Sequence, residues 1–334
     1  MLVSPYVSLK YVNTAGKDMG FNFFTTFVCE SCEEVSTNQV HSIKQAGTHG
    51  QFFTGMSMEE RHIRLTGTVR HGLPTISAVQ LLHNVFNPTI SGTLYYENCR
   101  YEMNKEINCR AEELPQVYWS GGHLRFDVRL IALEPFWKGK PHIENIAETE
   151  RMFFFATSIP HGGKSFAVHH GMLESTFDNV GNVESDFIAI LRARYGSVTN
   201  PEIRNEETGE RIRVLVHMRQ HDELIIHNGL QEKRVELNGK NAFRHMDAEN
   251  TTFFRIAVGK NRIGYRADQN ASNLVVHVRY IPLFTFAEGQ LTEPPMLPSR
   301  PSQFLAVNQD TGRLLVNPQS GKLVQIERGG GRPW

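Results

Sequence analysis

The chain has 334 residues, which is enough for two ordinary domains, and 40% of them are hydrophobic, as in a protein that buries a core. Lys plus Arg and Asp plus Glu number 35 each, so no net charge draws the chain to nucleic acid or to an anionic membrane. No apolar run is long enough to span a membrane and the first residues do not resemble a signal peptide, so we expect a soluble protein made in the cytoplasm.

Alternating apolar and polar residues predict half-buried antiparallel strands in the first half of the chain. The two clearest stretches are 61–69 and 125–133. Their expected inward residues are Ile63, Leu65, Val69, Phe126, Val128 and Leu130.

A helix is predicted between these strands, over residues 75–86, because its apolar residues follow steps of three and four. Thr75 or Ser77 is expected to cap its start, and Pro88 prevents its continuation. The expected buried face carries Ile76, Val79, Leu82 and Phe86. A second stretch, 186–195, is compatible with either a helix or a buried strand.

Strands and turns recur about every ten residues in the second half, which predicts a β-sandwich. Residues 212–218 and 274–280 alternate, and Asn228-Gly229 and Asn238-Gly239 are typical of tight hairpin turns. Residues 253–258 are expected to form a strand that reverses at Gly259-Lys260-Asn261 and returns through Tyr265.

These elements predict three segments. Residues 1–140 form a β-rich first domain with one short helix, and residues 141–287 form an antiparallel β-sandwich. Residues 288–334 form a Pro-rich linker followed by short hairpin arms, since 308–316 and 317–325 are an imperfect repeat.

Phosphate-binding and metal motifs are incomplete in this chain. Gly162-Gly163-Lys164-Ser165 resembles the end of a nucleotide-binding loop, but Ser158 occupies the place of the required first glycine. Cys29 and Cys32 form a CxxC without a second close pair. We therefore expect no cofactor and no metal, and buried or idle thiols.

No catalytic arrangement is predicted either. His217 is out of phase with its apolar neighbours and is expected to face solvent. Adjacent glutamates such as Glu112-Glu113 point to opposite faces of a strand and cannot act as a catalytic pair. The sequence predicts a protein that is not an enzyme.

Three groups of motifs together resemble the distal tail protein family of long-tailed bacteriophages, also called siphovirus tail component or phage tail family proteins. The first is AVQLLHNVFNPTISGTLYYENCRYEM, and the second is RFDVRLIALEPFW. The third is spread over FDNVGNVESDF, NPEIRNEETGE and NTTFFRIAVGKNRIGY. The marker residues of these motifs are Asn87, Pro88, Phe126, Pro135, Phe136, Trp137, Asn179, Gly181, Asp186, Gly259, Asn261 and Tyr265.

The resemblance implies a first domain that forms a hexameric ring at the end of a tail tube and a galectin-like second domain directed outward. The implied partners are further copies of the chain, the tail tube protein, a hub or tail-associated lysin protein, and a receptor-binding protein. The implied location is the tail tip of a virion that is assembled in the host cytoplasm.

A second hypothesis is that the sandwich is a carbohydrate-binding module that attaches the particle to host cell-wall sugars. The same fold serves both functions, so fold alone does not separate them. A sugar site typically presents exposed aromatic rings, yet Trp119 and Trp137 belong to the first domain and Trp334 is terminal. A structural hub is the leading hypothesis.

Overall fold

The structure is a computed structural model that describes residues 7–22, 24–44, 49–70, 73–98, 103–147, 149–151, 167–169, 174–229, 232–287, 303–305 and 325–327. Within these ranges the chain folds into antiparallel sheets and one α-helix, which confirms the expected mostly β class. None of the helical residues described forms a segment of the length and apolarity needed to cross a bilayer. Residues 1–287 form one compact unit and residues 288–334 a second.

The first part of the chain contributes nine strands and the α-helix to this description. The bounds are β1 (Val7–Asn13), β2 (Asp18–Phe21), β3 (Phe27–Ile43), β4 (Phe52–Val69), α1 (Thr75–Val85), β5 (Ser91–Asn98), β6 (Met103–Ala111), β7 (Gln116–Ser120), β8 (His123–Ala132) and β9 (Trp137–Lys138).

The remaining strands are mostly short. Their bounds are β10 (His142–Ala147), β11 (Thr149–Arg151), β12 (Ala167–His169), β13 (Glu174–Asn179), β14 (Phe187–Ala193), β15 (Val198–Asn205), β16 (Arg211–Arg213), β17 (His217–Met218), β18 (Glu223–Asn228), β19 (Lys233–Leu237), β20 (Lys240–Asn241), β21 (Gly259–Gln269), β22 (Leu274–Tyr280), β23 (Leu283–Phe284), β24 (Gln303–Leu305) and β25 (Gln325–Glu327).

The first sheet has the strand order β2-β1-β5-β6-β8-β4-β3, with β7 beside β8 and β9 beside β6. Its alternating residues bury one face, as predicted: Ile63, Leu65, Phe126, Val128 and Leu130 all lie in the core. This first core also contains Ala287 and contacts Phe284, although both residues follow the second set of strands in the chain.

Helix α1 covers part of this core and matches its predicted position. It buries Ala78, Leu82 and Val85, followed by Phe86, whose ring stacks on that of Tyr11 at 4.5 Å. Two details of the prediction are wrong. Pro74 occupies the N-cap without a side-chain hydrogen bond, and Ile76 is 73% exposed rather than buried.

The second core lies between two antiparallel sheets, which together form the predicted sandwich. One sheet has the order β10-β22-β14-β18-β19-β20 and the other the order β13-β21-β15-β16. Both contribute alternate residues to a single apolar cluster. Residues 186–195, for which helix and strand remained open, contain strand β14.

The structure corrects two turn predictions in this domain. Residues 253–258 form no strand, apart from a bridge between Ile256 and Ser185, and Gly259 to Asn261 begin the long strand β21 rather than a reversal. Gly229 follows β18, but β19 begins only at Lys233, so the connection is longer than a two-residue turn. Asn238 and Gly239, with φ of 52° and 75°, do form the predicted tight turn.

Several sequence predictions lie outside the described residues. The glycine-rich loop 162–165 with its Lys164 is one, and the Pro-rich linker is another. Of the C-terminal segment, only β24 and β25 are described, and these two strands pair with each other.

Candidate assembly surface

A short return segment, residues 282–287, links the sandwich back to the first domain. Its strand β23 pairs with β9, and the amide of Gly139 donates to the carbonyl of Pro282 at 2.9 Å. On the first-domain side, the buried guanidinium of Arg61 donates to the carbonyls of Thr285 at 2.5 Å and of Pro135 at 2.6 Å. The backbone of the segment is therefore held by a charged donor, which strengthens such bonds.

The other side of the return segment is held by the sandwich. Leu283 forms a bridge with Val183, and the amide of Asn182 donates to the carbonyl of Leu283 at 3.0 Å. Asn182 also exchanges hydrogen bonds with the side chain and the amide of Thr285, at 2.7 and 2.9 Å. The segment thus joins the two domains by contacts on both of its sides.

Marker residues from two different motifs converge at this joint. Trp137 is fully buried, and its indole N–H donates to Glu34, whose carboxylate also pairs with Arg61 at 2.8 Å. On the sandwich side, a Cβ at Gly181 would lie 2.6 Å from the carbonyl oxygen of Leu283. Only glycine allows so close an approach of the two backbones.

Two buried asparagines fix the loops beside Gly181. The side-chain oxygen of Asn179 accepts from the amide of Gly181 at 3.0 Å. The amide group of Asn261 bonds both the N–H and the C=O of Ala257, each at 2.8 Å, and Gly259 adopts φ of +80°. These side chains bond the backbone of Ile256 and Ala257, which belong to no strand.

The other marker residues lie elsewhere, and none is arranged for chemistry in the described structure. Asn87 accepts from Thr89 in the turn that carries Pro88, Asp186 pairs with Arg255 at 3.0 Å, and Tyr265 is fully buried in the second core. Phe126 lies in the first core and Phe136 is half-buried before β9. In the described structure these markers take part in packing, turn and ion-pair contacts.

Lys105 also binds the return segment, from a largely buried position in β6. Its ammonium donates to the carbonyl of Phe286 at 3.1 Å and lies 4.0 Å from the ring centre of Phe284. Burial lowers the pKa of Lys105 to about 8, against a partial opposing effect of the Glu34 carboxylate.

This lowered pKa predicts a pH dependence of stability. Between pH 8 and 10.5 the unfolded chain binds more protons at Lys105 than the folded chain, so stability conferred at this residue rises with pH. Relative to Lys105→Met, the wild type is expected to gain on the order of 2 kcal/mol in free energy of unfolding over this window. Urea unfolding at a series of pH values measures it.

An exposed lysine provides the control for this measurement. Lys140→Met is expected to follow the wild type throughout the pH range, because its side chain is exposed. A stability difference between wild type and Lys105→Met that stays constant from pH 7 to 10.5 would contradict the burial of this ammonium.

Besides the return segment, the first domain has a two-stranded ribbon, defined as residues 35–43 of β3 and 52–60 of β4. Strand β8 pairs with β4 only from Arg61 to Val69, so in the described structure the ribbon has no further strand on either edge. Within the ribbon, most residues of both strands are exposed. An isolated two-stranded hairpin is at best marginally stable in water.

The face of the ribbon that continues the core side of the sheet is mainly apolar, although Asn38 and Ser42 share it. It carries the cross-strand pair Val40 and Met56, with Met58 toward the base and Phe53 toward the tip. Val40, Phe53 and Met56 are 60%, 69% and 63% exposed. The middle of the opposite face is polar, with Gln39 and a hydrogen bond between His41 and Ser57.

Local sequence patterns predict neither the ribbon nor the return segment. The residue types in Phe52-Phe53 and in the methionines that follow are suited to an exposed apolar strand, but bulges break their alternation at positions 53–55 and 58–61. The joint has no local signal, because Arg61 and Thr285 are distant in sequence.

The candidate chemical groups form no reactive site in the part of the chain described here. Cys29, Cys32 and Cys109 are buried, and burial raises the pKa of the Cys29 and Cys109 thiols to about 12, so both stay protonated. No group of three or more described His, Cys, Asp or Glu residues could hold a metal ion. His217 faces solvent as predicted and contacts Thr199.

The fold and these surfaces define a β-rich scaffold with a hydrogen-bonded joint between its domains and an exposed ribbon. Residues 180–284 match the family described as siphovirus-type tail component, C-terminal domain. This match confirms the resemblance to distal tail proteins inferred from the motifs. No curated protein sequence matches the chain significantly.

The fold is shared with a solved phage protein. The crystal structure of the Dit protein of phage SPP1, described as a paradigm of hub adsorption apparatus in Gram-positive infecting phages, has a TM-score of 0.58 and 11% identity. The match covers 83% of this chain and 99% of that chain. A chain of the phage P2 baseplate in its activated conformation with Ca matches with a TM-score of 0.40 and 13% identity, covering 84% and 99% of the two chains.

Proposed function

We propose that this chain is a structural distal tail protein at the tip of a phage or phage-like tail. In this role it forms a hexameric ring that joins the tail tube to the tail-tip adsorption apparatus. The family match of residues 180–284 and the fold shared with the SPP1 protein support this proposal.

The exposed ribbon is the observation that carries the proposal. Six large apolar side chains of the ribbon are exposed: Val40, Phe53 and Met56 on its apolar face, and Val35, Ile43 and Phe52 on the opposite face. Burying each of them in a contact would contribute about 1 to 2 kcal/mol. An apolar surface of this kind on a soluble protein typically marks an interface, and its unpaired strand edges favour assembly.

The proposed partners are further copies of the chain, the tail tube protein on one face and a hub or tail-associated lysin protein on the other. A receptor-binding protein is a proposed partner of the sandwich. The proposed location is the virion tail tip, after assembly in the host cytoplasm. We also propose that the chain has no catalytic activity and that Lys164 hydrolyses no nucleotide.

The mass of the purified chain in solution tests this function, together with negative-stain images. We expect closed rings of six copies, formed by the chain alone or after co-expression with the tail tube protein. Chains that stay monomeric in both preparations at high concentration would refute the ring. Nucleotide hydrolysis that Lys164→Ala abolishes would refute the purely structural role.

A further inference from the structure

The ribbon lies at one end of the first domain, and an exposed tryptophan lies at the other. Strand β4 leaves the ribbon and ends at Val69, which pairs with Leu124 of β8. Leu124 in turn pairs with Trp119 of β7. From Met58 to Val69 the strand spans roughly 35 Å at about 3.3 Å per residue, so the two sites are on opposite ends of the same sheet.

The second site, called the β7 end, is defined by Tyr118, Trp119 and the open edge of β7. Trp119 is 62% exposed, although its cross-strand partner Leu124 is buried in the first core. Strand β7 pairs only with β8 among the described strands, which leaves its outer edge available. Trp119 therefore extends the apolar core side of the sheet into solvent, as Val40 and Met56 do at the ribbon.

The charges beside the two sites are opposite in sign. Glu59 and Glu60 lie at the ribbon, and their exposed carboxylates have no ion pair with any described residue. At the β7 end, Arg70 follows Val69 and Arg125 pairs with Tyr118 across the strands. Arg125 is only loosely paired with Glu30, at 3.6 Å. Such complementarity favours contact between the two ends rather than between two ribbons.

We propose that the apolar face of the ribbon packs against Trp119 at the β7 end of a second copy of this chain. The inference rests on the proposed ring and names its contact residues. Because the two surfaces differ and lie at opposite ends, the contact is head-to-tail, and each copy offers one ribbon and one β7 end. Repetition of such a contact gives a closed ring when the rotation between copies closes.

Single charged substitutions test the two surfaces separately. Met56→Asp places a carboxylate on the apolar ribbon face, and Trp119→Asp does so at the β7 end. We expect both variants to be monomeric where the wild type forms rings. The matched control Ser57→Asp changes the neighbouring residue on the polar ribbon face and should assemble as the wild type does. Circular dichroism and thermal unfolding verify that each variant is folded.

Mixing the two defective variants gives the decisive result. A Trp119→Asp chain keeps an intact ribbon, and a Met56→Asp chain keeps an intact β7 end. An equimolar mixture at high concentration is therefore expected to form a one-to-one dimer and nothing larger, measured by mass photometry or light scattering. Phe53→Asp serves as a second ribbon variant and should replace Met56→Asp in this mixture with the same result.

The other outcomes separate this inference from the proposed function. Rings formed by Trp119→Asp, or a mixture that stays monomeric while the wild type forms rings, would overturn the contact and leave the ring intact. A wild type that never assembles, even with the tail tube protein, would overturn both.

Discussion

Gly67→Ala is expected to destabilise the first domain by about 3 kcal/mol or more, at the upper end of the cost of overpacking a core. A Cβ at this position would overlap the carbonyl oxygen of Val28 and lie 2.7 Å from the ring of Phe126. Neither neighbour can move freely, because Val28 is in the paired strand β3 and Phe126 is fully buried. Urea unfolding followed by tryptophan fluorescence measures the loss.

Gly55→Ala is the matched control, since Gly55 is in the same strand and its added Cβ would meet no atom within 4 Å. We expect its free energy of unfolding to stay within about 0.5 kcal/mol of the wild type. Equal unfolding midpoints for the two alanine variants would show that β3 and β4 do not approach at Gly67 as described.

Arg61→Met is expected to cost roughly 3 kcal/mol, because it removes the cation from a mostly buried pair. The Arg61 and Glu34 side chains are 4% and 14% exposed, and their nearest N and O atoms are 2.8 Å apart. The variant leaves the Glu34 carboxylate with Trp137 as its remaining donor and leaves the carbonyl of Thr285 without this bond. Urea unfolding measures the cost, and increased proteolysis near Thr285 would accompany it.

The double variant Arg61→Met with Glu34→Gln distinguishes charge pairing from loss of packing. We expect it to be more stable than the sum of the single effects predicts, by at least about 1 kcal/mol, because no unpaired charge remains. Lys10→Met is the control, since the Lys10 and Asp18 pair is exposed, and it should unfold like the wild type. Additive single effects would contradict a coupled pair at the joint.

Local periodicity explains which elements the sequence could predict. Strands β4 and β8 near Ile63 and Phe126 bury one face and expose the other, so alternation reveals them. Helix α1 ends before Pro88 for a local steric reason. Ile76 was misplaced because its spacing fits the buried face, whereas its exposure is set by tertiary packing that no local pattern records.

The joint and the ribbon depend on contacts that a local pattern does not contain. Residues 253–258 read as a strand because they are apolar, yet Asn261 and Asn179 satisfy part of this backbone through side chains. The glycine at position 181 is required by Leu283, about a hundred residues later. The marker residues include Trp137 and Gly181 of this joint, but the sequence does not indicate which residues they contact.

The return of residues 284–287 to the first core has a consequence for synthesis on the ribosome. The first domain cannot complete its core until Ala287 has left the exit tunnel. All strands of the sandwich are therefore synthesised before the first domain can finish folding. Strands β9 and β23, which precede and follow the sandwich in the chain, pair with each other, so the sandwich is an insertion whose two ends lie side by side. A short hairpin could replace it, or another module could be grafted there, without interrupting the sheet that carries the ribbon.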